Sequence, residues 1–158
     1  MRYYLLDKIT QIKVDESASG IKCISFTDEV LHDHFPDNPI MPGALIVEGV
    51  AQLAGFLLEV SYNKSDDNIV RAVLCQIDKM KFYKMSVPGD QLIYNAKILS
   101  KMSDAAQVAV EVFCKEELHA QGKITFQLLP IDSENVNNQR RSLYKIWTKG
   151  VENCPTLR

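Results

Sequence analysis

The sequence predicts an α+β domain in which an antiparallel sheet wraps around one long buried helix. Two patterns lead to this fold class. Residues 43–60 are apolar on nearly every side, and the segments after residue 69 alternate apolar and polar side chains between short turns. A helix that is apolar all round must be buried all round, whereas alternating strands joined by short turns favour an antiparallel sheet.

The elements before the helix are two short strands and a rigid loop. Residues 6–14 and 21–27 carry many β-branched side chains and flank the turn-rich stretch 15–20, which predicts a hairpin. Residues 34–43 contain three prolines, which predict a stiff, non-helical loop. Pro42 occupies a favoured position at the start of a helix, so we expect the loop to lead directly into the central helix.

The elements after the helix are a polar loop at 62–68 and then consecutive strands. We expect strands at 69–77 (continuing or bulging through 80–83), 91–101, 106–115 and 118–129.

The end of the chain changes character. Residues 132–139 are polar and resemble a linker, and residues 140–158 are expected to form a mobile or surface-docked tail with at most two amphipathic turns. The sequence therefore predicts one domain over residues 1–130 and a polar linker and C-terminal tail over residues 131–158.

Composition excludes several classes of protein. The chain has 158 residues, of which 46% are hydrophobic and 24% charged, with a formal net charge of −2. A nucleic-acid-binding domain is normally basic, with a pI above about 9. A chain with a net charge of −2 is therefore not expected to bind nucleic acid. Residues 44–60 are broken by Glu48, Gln52 and Glu59, so we expect no membrane span. The four cysteines have no CxxC spacing, which favours reduced thiols in a cytoplasmic protein.

Polar residues on the apolar helix are the first candidates for chemistry. Glu48 and Gln52 are four residues apart and share a helical face. An ionised carboxylate is costly in an apolar setting, so Glu48 is a candidate proton donor. The alternative is structural: Glu48 pairs with a lysine or arginine, or points to solvent if the predicted helix boundary is wrong.

The rigid loop supplies the other candidates. His34 begins the loop, and Gly43 ends it at the helix N-terminus, where an unobstructed N–H at the positive end of the helix dipole can stabilise an oxyanion. Taken alone, His34 is more simply interpreted as a surface residue. A base (His34), an oxyanion donor (Gly43) and an acid (Glu48) together are what elimination of water next to a thioester carbonyl requires, without a metal or cofactor.

The same residues carry a family resemblance. Residues 34–52, His-Phe-Pro-Asp-Asn-Pro-Ile-Met-Pro-Gly-Ala-Leu-Ile-Val-Glu-Gly-Val-Ala-Gln, resemble the signature of the 3-hydroxyacyl-[acyl-carrier-protein] dehydratases of fatty-acid synthesis. Residues 80–92 resemble a second block of that family and residues 4–8 its opening, so the resemblance runs from about residue 2 to residue 129.

The resemblance implies a hot-dog fold and a reaction. It implies a homodimer whose active site takes the histidine from one subunit and the glutamate from the other, acting on (3R)-hydroxyacyl chains linked through phosphopantetheine to acyl carrier protein and giving trans-2-enoyl thioesters. In that family pattern His34 abstracts the α-proton, Gly43 N–H binds the thioester oxygen, and Glu48 with Gln52 manages the departing hydroxyl. Glutamate at the acid position is similar to the branch that only dehydrates, and Tyr83 is a candidate gate.

Departures from the family pattern leave alternatives open. Asp33 stands where the family commonly has glycine, and Asp37-Asn38 where it commonly has Gly-His. A non-catalytic acyl-thioester-binding subunit and an acyl thioesterase on the same fold are the alternative functions. His32 and His34 near acidic residues lack a convincing ligand set, so no metal is expected. Lys79, Lys81 and Lys84 with Arg71 form either a basic patch for an acidic carrier or a solvated strand face.

Overall fold

The computed structural model describes residues 3–65, 68–131 and 133–158. It contains β1 (Lys8–Lys13), β2 (Ser17–Cys23), α1 (Val30–Asp33), α2 (Gly43–Tyr62), β3 (Val70–Phe82), β4 (Gln91–Lys101), β5 (Ala105–Cys114), β6 (Glu117–Pro130) and α3 (Glu134–Trp147). The strands form one antiparallel sheet in the order β1-β2-β4-β5-β6-β3. The predicted α+β class is confirmed, and α1, a single helical turn before the loop, was not predicted.

The central helix α2 packs against strands β1 to β5 of the sheet. It starts at Gly43 as predicted, spans 20 residues, and has 14 buried residues on all its sides. By length and composition alone it could also cross a membrane, in contrast to the expectation drawn from the polar residues that interrupt it. Because 72% of its apolar window is buried by the rest of the protein, α2 is the core helix of the domain.

Strand β3 lies at one edge of the sheet and is hydrogen-bonded to β6. The predicted interruption after residue 77 is a register shift between Asp78 and Lys81 within one continuous strand of 13 residues. Most of β3 is exposed, including the large apolar side chains Val73, Leu74 and Ile77. An unpaired edge with exposed apolar side chains is unusual for a strand that stays in water, since such edges template further pairing.

The polar segment predicted as a linker is instead the first half of α3, so the linker interpretation is wrong for residues 134–139. Ser133 caps this 14-residue helix by accepting a hydrogen bond from Val136 N–H. Tyr144 and Trp147 are buried, and each ring lies 5.5 Å from the Phe56 ring of α2. Asp132 lies outside the described residues. The division of the chain into a domain of residues 1–130 and a tail from residue 131 stays a prediction.

A buried ionic cluster fastens the tail to the core. Glu59 of α2 is 1% exposed and contacts Arg71 of β3 at 3.2 Å and Arg140 of α3 at 2.7 Å. Arg71 also donates to Asn137 and to the backbone carbonyl of Arg158. The guanidinium of Arg140 covers the Phe56 ring at 3.9 Å. Arg71 is therefore buried, and it is not part of a surface basic patch with the lysines.

Candidate active site

His34 follows α1 and is fixed by the loop that it begins. Its Nδ1 lies 2.8 Å from the carbonyl oxygen of Ile40, and Ile40 N–H donates back to His34 O at 2.7 Å. The His34–Phe35 peptide bond is cis, and the two rings stack with centroids 4.2 Å apart. Phe35 and Asn38 exchange two backbone hydrogen bonds of 3.0 Å, which close the loop on itself. The imidazole is half-buried in a fixed orientation.

Gly43 is the first residue of α2, as the proline pattern predicts. Pro42 precedes it, and the carbonyl of Pro42 accepts from Leu45 N–H and Ile46 N–H, which closes the first turn. Gly43 N–H has no intrahelical acceptor at this position, and no acceptor elsewhere in the described ranges takes its hydrogen bond. It is therefore available to an oxygen approaching the positive end of the helix dipole.

Phe82 packs against Gly43, a contact that sequence reasoning missed. A Cβ built on Gly43 would lie 2.9 Å from Phe82 Cζ, so glycine is needed for this close approach. Phe82 ends β3 and is 48% exposed, which places an apolar ring beside the free N–H. Tyr83, the candidate gate, is 50% exposed and accepts a hydrogen bond from Gln121 through its hydroxyl, and its role as a gate stays a prediction.

Glu48 and Gln52 contact each other on α2, as their spacing predicts. Gln52 Nε2 donates to Glu48 Oε1 at 3.0 Å and to the Tyr3 carbonyl at 2.9 Å, while Gln52 Oε1 accepts from Leu5 N–H at 3.1 Å. These two backbone partners fix which end of the amide faces Glu48. Glu48 is half-buried and forms no ion pair with any described residue, so the lysine or arginine pairing belongs to Glu59.

The predicted site residues form two groups within one chain. The loop leads from His34 to the start of α2 at Gly43, and the following turns of α2 carry Glu48 and Gln52. In the part of the chain that the structure describes, no hydrogen bond joins His34 to Glu48, and no three His, Cys, Asp or Glu side chains are arranged as metal ligands. The implied site that draws on two subunits stays a prediction.

Comparison with known proteins identifies the family. The FabA-like domain family matches residues 1–127. The chain is 36% identical over 124 residues to the 3-hydroxyacyl-[acyl-carrier-protein] dehydratase FabZ of Streptococcus suis, covering 78% of this chain and 86% of that protein. The chain belongs to the 3-hydroxyacyl-[acyl-carrier-protein] dehydratase family. Another member of this dehydratase family, FabZ of Helicobacter pylori, is 36% identical over 125 residues, covering 73% of this chain and 79% of that protein.

Solved structures support the hot-dog fold of this dehydratase family. A hypothetical thioesterase of Streptococcus pneumoniae with coenzyme A superposes with a TM-score of 0.62 at 13% identity, covering 80% of this chain and 88% of that one. The dehydratase heterocomplex ApeI:P of Xenorhabdus doucetiae superposes with a TM-score of 0.56 at 19% identity, covering 74% of this chain and 92% of that one. At these identities the likeness shows the fold, and the predicted hot-dog fold is confirmed.

The two departures from the dehydratase family pattern have different structural consequences. Asp33 ends α1 with an ordinary negative φ, so it imposes no strain where the family commonly has glycine. Asp37 has a φ of 63°, the left-handed region that favours glycine, and it lies between the two hydrogen-bonded loop residues Phe35 and Asn38. The tail, including α3, lies outside the residues matched by the family.

Proposed function

We propose that this protein dehydrates (3R)-3-hydroxyacyl chains carried on acyl carrier protein to trans-2-enoyl thioesters in fatty-acid or related polyketide or polyene synthesis. Membership of the dehydratase family supports the reaction class. The carrier protein with its phosphopantetheine arm is the proposed partner, and the cytoplasm is the proposed location. The chemistry needs no cofactor, because a base, an oxyanion donor and an acid are sufficient for it.

The hydrogen bond between His34 and Ile40 is the observation that carries the proposal. A carbonyl oxygen only accepts, so His34 Nδ1 carries the ring proton in this 2.8 Å bond. In the neutral ring Nε2 then holds a lone pair and can take the proton from the carbon next to the thioester carbonyl. A rigid loop and a half-buried position hold this lone pair in one direction.

The remaining groups complete the elimination. As the α-proton moves to His34, negative charge develops on the thioester oxygen, and Gly43 N–H at the helix terminus stabilises it. Glu48 then donates a proton as the bond between the β-carbon and its hydroxyl breaks, so that the hydroxyl leaves as water. Gln52 occupies Oε1 of Glu48 as a donor, which leaves Oε2 to hold and release the proton. Return of the proton from His34 to Glu48 resets the site.

Strand β3 is the proposed dimer contact. Val73, Leu74 and Ile77 are 40%, 37% and 46% exposed on an edge strand of 13 residues. Pairing with β3 of a second copy would bury these side chains and satisfy the open backbone edge. A two-fold contact brings the same strand from both copies together, so the two active sites would form as a pair.

The direct test of the reaction is turnover of 3-hydroxyacyl-[acyl-carrier-protein] substrates of graded chain length, followed by mass spectrometry of the acyl product. His34→Ala and Glu48→Gln should each lower the rate about 10²–10⁴-fold, the usual contribution of a general acid or base. His32→Ala is the matched control, because His32 is an exposed histidine two residues away. Full activity in both folded variants contradicts the assigned roles, and release of free carrier thiol without enoyl product would indicate a thioesterase.

The dimer contact has its own test. Ile77→Lys should convert the dimer to a monomer in light scattering and abolish turnover, because a charge would be buried at the two-fold contact. Leu99→Lys is the matched control, because Leu99 is also 46% exposed but lies near the end of β4. A dimer that survives the Ile77 substitution, or an active monomer, excludes β3 as the contact that completes the site.

A further inference from the structure

A buried polar pair lies behind the catalytic loop and has no part in the proposed reaction. Ser86 is 1% exposed and His119 is 6% exposed, and Ser86 Oγ lies 2.9 Å from His119 Nδ1. They come from the segment between β3 and β4 and from β6, which are 33 residues apart in the chain. Buried polar groups are costly unless they are paired, so this contact specifies how the two segments meet.

The same serine supports the loop through its backbone. The carbonyl oxygen of Ser86 accepts a hydrogen bond of 2.8 Å from Met41 N–H. Met41 is buried and stands two residues before Gly43. The preceding residue, Ile40, contacts His34 through both its N–H and its carbonyl oxygen. Residues 40–43 are therefore held by Ser86 on one side and by the catalytic histidine on the other.

His119 also holds the segment that contains Ser86 through its backbone carbonyl. Its carbonyl oxygen accepts from Tyr83 N–H at 2.8 Å and from Lys84 N–H at 3.4 Å. One residue of β6 thus binds the segment 83–86 through its main chain and its ring. This gives a continuous series of contacts from β6, through Ser86 and Met41, to the base and the oxyanion donor.

We propose that the Ser86–His119 pair is a positioning device that sets the distance between His34 and the Gly43 N–H. This inference rests on the proposed function, because it assumes that these two groups act on one thioester. The pair itself touches no reacting atom. Its effect on the reaction comes from orienting groups that must meet the substrate in one geometry, where an error of about 1 Å can cost about 100-fold in rate.

The test is steady-state turnover of a 3-hydroxyacyl-[acyl-carrier-protein] by Ser86→Ala. We expect kcat to fall about tenfold with KM within about twofold of the original value. His119→Asn, made separately in the original chain, keeps a polar atom near the position of Nδ1 and should retain most of kcat. Ser61→Ala is the matched control: Ser61 is also 1% exposed, and its hydroxyl accepts from Asp15 N–H and donates to Leu57 O, but it lies at the far end of α2.

A second measurement separates positioning from stability. Hydrogen exchange at the Met41 amide should be faster in Ser86→Ala than in the original chain, and unchanged in Ser61→Ala. If Ser86→Ala does not fold, Ser86→Cys keeps the volume with a weaker hydrogen bond and should show the same kcat-selective loss to a smaller extent. Unchanged kcat in a folded Ser86 variant, or a loss that only follows the folded fraction, overturns the inference.

The failure of this inference is distinct from failure of the proposed function. If the original chain gives no enoyl product, the proposed function is wrong, and the inference falls with it. If the original chain is active and responds to His34→Ala but not to Ser86→Ala, only the positioning role is wrong.

Discussion

Removing Arg140 is the most direct test of how the tail is attached to the core. Glu59 is 1% exposed, and its charge is compensated by Arg71, which is 3% exposed, and by Arg140, which is 26% exposed. Arg140→Met keeps the apolar length of the side chain over Phe56 and removes the charge. Oε1 of Glu59 then loses its 2.7 Å donor, and Oε2 loses a 3.2 Å donor but keeps Arg71.

The expected loss of unfolding free energy follows from the burial of Glu59. Removing one partner of a buried ion pair typically costs about 3–5 kcal/mol. Because Arg71 remains as a partner of Glu59, we expect the lower end, about 3 kcal/mol of unfolding free energy. At about 2–4 °C per kcal/mol for a domain of this size, the melting temperature should fall by about 6–12 °C.

The pH dependence gives an independent check. Burial raises the pKa of Glu59 above its ordinary value of 4.5, against the opposing charges of Arg140 and Arg71. Loss of Arg140 should raise this pKa further. A raised folded-state pKa means that the folded protein binds the proton more tightly than the unfolded chain, so lowering the pH from 8 towards the ordinary value favours folding. The loss of unfolding free energy caused by Arg140→Met should therefore become smaller as the pH falls.

The assay is urea unfolding of both proteins at pH 8 and at pH 5.5, with Lys13→Met as the control. Lys13 and Glu16 form a pair with side chains 52% and 60% exposed, so its loss should cost no more than about 1 kcal/mol. The assignment of this cluster as the attachment of the tail would be refuted by either of two results. One is a loss of unfolding free energy in Arg140→Met no larger than in Lys13→Met, and the other is a loss that grows as the pH falls.

Three further predictions concern the packing around α2. Tyr94→Phe should raise the unfolding free energy by about 1 kcal/mol in denaturant titration, because the Tyr94 hydroxyl is buried without a partner in the described residues. Gly49→Ala should lower it by about 1–3 kcal/mol, because the new Cβ would lie 2.5 Å from Leu5 O; equal stability would show that the helix can shift. Gln52→Leu should lower kcat of dehydration by about tenfold and make the Leu5 amide exchange faster, and an unchanged rate would exclude Gln52 as the group that orients Glu48.

The elements that the sequence predicted best are those whose evidence is local. The position of Pro42 and the all-round apolar pattern predicted the start of α2, because proline geometry and helical periodicity act within a few residues. Alternation predicted β4 (Gln91–Lys101) at its observed bounds for the same reason. The contact between Glu48 and Gln52 follows from a spacing of four residues on one helix.

The features that the sequence did not predict depend on distant partners. The polar stretch after residue 133 resembles a linker until α3 packs Tyr144 and Trp147 on Phe56. Packing of an amphipathic face, more than intrinsic propensity, stabilises most helices in proteins. Phe82 beside Gly43 was missed for a related reason, since nothing near either residue in the sequence indicates that the end of β3 meets the start of α2.

The sequence by itself determined the α+β class, the central helix and the chemical types of a base, a bare amide and a carboxyl, because periodicity and motif spacing are properties of neighbouring residues. Only the tertiary structure decided which glutamate is paired with arginines and which forms no ion pair with the described residues. Glu48 and Glu59 lie on the same apolar helix, but Arg71 and Arg140 reach Glu59 from 12 and 81 residues away. A charge inside a protein is stabilised by whatever folds against it, and that partner is chosen by the packing of the whole chain.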